Sequence, residues 1–118
     1  MKESEAILAF SQSEKIKSGI IWVSQMVEMQ QGLEEKYRPG TDNLLEAMVG
    51  MIGHEVHITG NVTEDFRWQE AEKSINMALV MIRSKVSQES TFHLTNALAQ
   101  ITGLGNQAMN FLKEKGLL

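Results

Sequence analysis

Cysteine is absent from the 118 residues. Its absence excludes disulfides, cysteine-based zinc sites and thiol nucleophiles. Proline occurs once, at Pro39, and no low-complexity tract interrupts the chain. There is no basic block: 11 Lys and Arg face 15 Asp and Glu, for a net charge of −4. Phosphate backbones need clustered Lys and Arg, so free nucleic acid is not an expected partner. Uncharged apolar runs are short, and none reaches the ~18 residues of a membrane span. The first residues, MKESEAILAF, carry acids where a secretory signal carries bases, so the expected compartment is the cytoplasm. What remains is an ordinary apolar share of 42%. That is too high for a disordered chain and sufficient for the core of a single domain spanning residues 1–118.

The most apolar stretch is IKSGIIWVSQMVEM, Ile16 to Met29. GIIWV alone resembles a strand, but its flanks are helix formers without alternation. At about 100° per residue, Ile16, Ile20, Val23 and Val27 form one stripe. Trp22, Met26 and Met29 form a second, and Ile21 lies off both. A helix apolar on two faces must bury two faces, so the segment is either central in its own bundle or shared with a partner chain.

Four helices are predicted, over residues 4–37, 43–58, 64–86 and 89–115. Pro39-Gly40 reads as the stop between the first two, with Thr41 or Asp42 capping the second. The second helix repeats the double pattern. Leu45, Met48, Val49, Ile52 and Val56 make one stripe, and Leu44, Ala47, Met51 and Ile58 another. Ala47, Gly50 and Gly53 recur every third residue, a row suited to a close approach by another backbone. Thr59-Gly60-Asn61 reads as a turn with Gly60 ending the helix, and Thr63 as the cap of the third. The third helix has the cleanest seam, from Trp68 through Ala71, Ile75, Ala78, Leu79 and Ile82 to Val86. Ser87 or Ser90 is expected to cap the fourth, whose seam runs from Leu94 to Leu112, with a break conceivable at Gly103 and Gly105. Gly116 ends it. Short connections make neighbours antiparallel, and the expected fold is all-α, an up-down-up-down antiparallel four-helix bundle.

Chemistry-bearing motifs are sparse. His54-Glu55-Val56-His57 has two imidazoles at i and i+3, able to share one metal, with Glu3, Glu5, Glu64, Asp65 and Glu114 as further candidate ligands. The competing reading is two imidazoles interacting with free carbonyls at a helix end. Spacing excludes the zinc-protease HEXXH, and no Glu stands three residues before a His as di-iron bundles require. His93 lies at the start of the fourth helix, away from His54 and His57. No phosphate loop or Ser–His–Asp order is present. Of the eight methionines, most fall where apolar surface is in excess, either as core filler or as an adaptable contact surface.

The sequence therefore points to a small non-enzymatic bundle acting through protein–protein interaction as an adaptor, regulator or chaperone-like protein, without a cofactor. Its expected partners are a second copy, forming a homodimer through the first two helices, and another protein. The candidate interface is Ile20, Ile21, Trp22, Met26, Met29, Ala47, Gly50 and Met51. The alternative is a metal- or small-ligand-binding bundle using His54 and His57. A third reading is an apolar pocket lined by Trp22, Trp68 and methionines.

Overall fold

The computed structural model describes all 118 residues as helices and short connections, with no strand. The helices are α1 (Glu3–Gln31), α2 (Arg38–Val62), α3 (Arg67–Arg83) and α4 (Ser90–Glu114). Single 3-10 turns, Glu35–Tyr37 and Ser87–Glu89, precede α2 and α4. The helices close a ring of neighbours, α1 to α2 to α3 to α4 and back to α1, in a rod of 53 × 22 × 18 Å.

The ring follows from a strict three-four repeat. In α1, Ala6, Ala9, Ser13, Ile16, Ile20, Val23, Val27 and Gln30 are buried. In α2 the repeat runs Asp42, Leu45, Val49, Ile52, Val56, Thr59, and in α3 Trp68, Ala71, Ile75, Ala78, Ile82. A repeat averaging 3.5 residues keeps one seam facing a neighbour along a whole helix, the geometry of left-handed bundles. Every neighbouring pair is antiparallel. Gln12 reaches Thr59 while Gln30 reaches Asp42. His57 meets Glu72 while Glu46 meets Arg83.

Several helix ends differ from the sequence reading. Pro39-Gly40 opens α2 instead of separating two helices, because proline in a first turn lacks only an N–H that would be unpaired anyway. The first helix stops earlier, at Gly32, whose N–H donates to the Met29 carbonyl while the Leu33 N–H donates to that of Gln30. Thr41 and Asp42 cap nothing. Asp42 is buried and accepts hydrogen bonds from Gln30 Nε2 at 2.7 Å and Ser87 Oγ at 2.5 Å. Ser90 Oγ likewise turns to the Ser87 carbonyl. These groups tie both connections at that end of the rod together.

At the opposite end α2 continues through Gly60 to Val62. Gly60 is there for space: a Cβ on it would stand 3.1 Å from Trp68 Cβ and 3.0 Å from the Gln69 amide. Thr63 Oγ1 donates back to the Thr59 carbonyl at 2.9 Å, so it closes α2 and does not cap α3. Asp65 takes that role, accepting the Arg67 N–H at 2.9 Å. α4 passes unbroken through Gly103 and Gly105. Gly105 packs on Ser13 of α1, where a Cβ would lie 3.0 Å from Ser13 Cβ. Gly116 ends the chain's last helix as expected, at φ +71° with Leu117 N–H bonding the Leu112 carbonyl.

Candidate functional site

With one stripe of α1 and α2 turned inward, the second is left outside. Trp22 is 62% exposed, Met29 72%, Leu44 63% and Met51 62%. Leu8 extends the strip along α1, Leu33 continues it just past that helix, and Ile58 and Val62 extend it along α2; all four are exposed. They follow the repeat: Leu8, Lys15, Trp22 and Met29 on α1 and Leu44, Met51 and Ile58 on α2 recur every seventh residue. Such positions flank a bundle seam on one side. The strip therefore lies along the α1/α2 groove.

Two apolar hollows lie in this groove. One, of about 310 Å³, is bordered by Ile16, Gly19, Trp22, Met48, Met51 and Ile52, and also by Lys15 and Glu55. Its floor is low because Gly19 has no side chain; a Cβ there would sit 3.3 Å from Ile52. The other, of about 160 Å³, lies between Met26 and Met29 of α1, Leu33 of the following connection and Leu44 of α2. Beyond them stands a polar level. Lys15 Nζ donates to Glu55 Oε1 at 2.8 Å, and Gln12 Nε2 donates to Glu55 Oε2 and Thr59 Oγ1, each at 3.0 Å. The Lys15 hydrogen bond, helped by Gln12, holds the Glu55 carboxyl below its usual range. Lys15 and Glu55 are the only ionised side chains on the strip between Leu8 and Leu33, and they neutralise one another.

Comparison with family models, curated proteins and solved structures finds no match. The site is thus described by its own residues.

The structure sorts the eight candidate interface residues. Trp22, Met29 and Met51 share the exposed α1/α2 strip, with Met26 half-buried beside them. Ile20 is fully buried and belongs to the core, out of a partner's reach. Ile21 is exposed but lies about 100° around α1 from Trp22, away from the groove. Ala47 is exposed on the outer surface of α2. Gly50 is half-buried with open space above it, so the small-residue row does not act as one. Within that row only Gly53 makes a close approach, to Ile75 of α3.

The histidines stand elsewhere than expected. Because α2 extends to Val62, His54 and His57 lie in its interior and not at its end, where carbonyls would be free. His57 Nδ1 lies 3.0 and 3.1 Å from the two Glu72 oxygens, and Asn61 Nδ2 donates to His57 Nε2 at 3.3 Å. A neutral ring protonated at Nδ1 satisfies both contacts. Glu5 is engaged by the Glu64 N–H, and Asp65 by Arg67, whose bidentate contact lowers the Asp65 pKa. No three His, Asp or Glu side chains converge into a metal-binding group. Trp68 is 1% exposed core on α3 and borders none of the hollows, so no pocket joins it to Trp22.

The α1/α2 strip as a single surface was partly visible in sequence. The missing signal was the seven-residue recurrence of Leu8, Trp22 and Met29 against Leu44, Met51 and Ile58, which assigns them all to one flank.

Proposed function

We propose that this chain is a small non-enzymatic interaction protein that works through its α1/α2 face, pairing there with a second copy. The observation that carries the reading is the exposed apolar strip centred on Trp22. Taken at about 200 Å² for each large apolar side chain, the exposed fractions of its eight members come to roughly 850 Å². The Lys15–Glu55 level divides the strip, and its larger part, Trp22, Met29, Leu33, Leu44 and Met51, comes to roughly 600 Å², the upper end of the roughly 300–600 Å² of the largest apolar patch on a typical monomer. The whole strip is close to the roughly 800 Å² that each partner buries in a standard interface. Methionine-lined hollows add the adaptability common at protein-binding surfaces. The metal-binding alternative has no comparable support, since His57 is already paired with Glu72 and the further acids are engaged or distant.

Sedimentation equilibrium over a concentration series tests the reading. The wild type is expected to be dimeric at micromolar concentration. Trp22→Glu and Met51→Glu are expected to be monomeric with unchanged far-ultraviolet circular dichroism, because both side chains are largely outside the core. A wild type that stays monomeric at all concentrations, or glutamate variants that stay dimeric, would remove this function.

A further inference from the structure

We propose that the second copy docks with the two-fold axis parallel to the rod, so that α1 of each copy lies antiparallel over α2 of the other and Lys15 of each reaches the partner's Glu55. The inference rests on the α1/α2 face being the pairing surface, and it adds the orientation and the intermolecular ion pair.

The face is layered. Lys15 and Glu55 share one level, Trp22 shares the next with Met48 and Met51, and Met29 shares a third with Leu44. A face-to-face homodimer has its two-fold axis in the contact plane, along the rod or across it. An axis across the rod through the Trp22 level inverts the order of levels. It would press Lys15 and Glu55 onto the partner's Met29 and Leu44, stripping water from a charged pair with nothing to receive it. An axis along the rod matches each level with itself. Lys15 then faces the partner's Glu55, Glu55 faces the partner's Lys15, and two ion pairs become a square of alternating sign. Apolar levels meet apolar levels.

The shape agrees with this orientation. At the Trp22 level, α1 of one copy lies over α2 of the other, so the partner's Trp22 arrives beside Met48 and Met51. The hollow there has about 310 Å³, more than the ~150 Å³ that accommodates a benzene ring in an apolar cavity. Gly19 keeps it open. Each copy thus presents an exposed indole and, beside it, a hollow at the same level, which is self-complementary under this symmetry.

The test is a mixing experiment with Lys15→Glu and Glu55→Lys, each checked for wild-type helicity. Alone, each variant sets four like charges together and is expected to weaken the dimer about tenfold or more. Mixed in equal amounts, with one variant isotope-labelled, they are expected to form mixed pairs at near wild-type affinity, seen by native mass spectrometry. In the mixed pair the two acids of one copy face the two lysines of the other, so every contact across the interface joins opposite charges. Dimers that fail to recover on mixing would overturn the orientation while leaving the α1/α2 dimer standing. A monomeric wild type would overturn both. Tryptophan emission provides an independent readout. Dilution of the wild type is expected to red-shift the emission, because Trp68 stays buried and only Trp22 gains water. The Trp22→Ala variant is expected to show no such shift. An unshifted wild-type spectrum on dissociation would place Trp22 outside the contact.

Discussion

Gly50 and Gly105 are the same residue in two helices of equal length, 25 residues each, yet a methyl group has opposite consequences at the two. Above Gly50 there is open space, so Gly50→Ala gains helix propensity alone and should stabilise by about 0.5–1 kcal/mol. At Gly105 the added Cβ runs into Ser13 of α1, and Gly105→Ala should destabilise by about 1–3 kcal/mol despite the same propensity gain. Urea titration of both variants measures the contrast. Lys85 is a third case. It ends α3 at φ +67°, with Val86 N–H bonding the Met81 carbonyl, in a conformation that suits glycine. Lys85→Gly should therefore raise stability by about 0.5–1 kcal/mol. The sequence reading puts Gly50 in a row for close approach and Gly105 at a break in the fourth helix, and the structure shows neither. What distinguishes them is the atom opposite, which belongs to another helix.

At the scale of the element, α2 shows how propensity yields to context. Its interior apolar repeat, Leu45 to Val56, was legible because periodicity is a local property of the chain. Its ends were not. Pro39-Gly40 is a break signal only if helix precedes it, and Gly60 is a stop only if nothing needs the space it leaves. The second apolar stripe was also legible as such, but not that it lies on the α1 side of α2. The buried Asp42 joins Gln30 and Ser87, linking α2 to the end of α1 and to the turn before α4. Asp42→Ala leaves both donors without their acceptor and should cost about 2 kcal/mol. Amide hydrogen exchange should accelerate first at this end of the rod, in the last turn of α1 and the first of α2.

For the whole molecule, the acid limb of stability has a definite sign. Glu55 is lowered by the Lys15 and Gln12 hydrogen bonds, and Asp65 by its Arg67 contact. A carboxyl with a lowered folded pKa stabilises fully above the unfolded value. That contribution is lost as pH falls through the folded value, here below the ordinary carboxylate range. Unfolding free energy should therefore be level near neutral pH and fall on acidification. Lys15→Met should make the fall shallower and raise the Glu55 titration midpoint, measured by carboxyl NMR. The same titration reports on pairing, since the proposed contact places Glu55 against a second lysine.

The sequence by itself determined that the chain is helical, where the four apolar seams run, and that α1 and α2 carry more apolar surface than one core can take. These follow from residue spacing within single helices. Only the tertiary structure decided which stripe went inside, which glycines are spaces and which are ends, and that His54 and His57 stand in a helix interior with Glu72 already beside one of them. Those outcomes depend on atoms contributed by neighbouring helices. A residue's own spacing cannot encode the distance to a side chain on another helix, and the rod sets that distance only when all four helices close around one core.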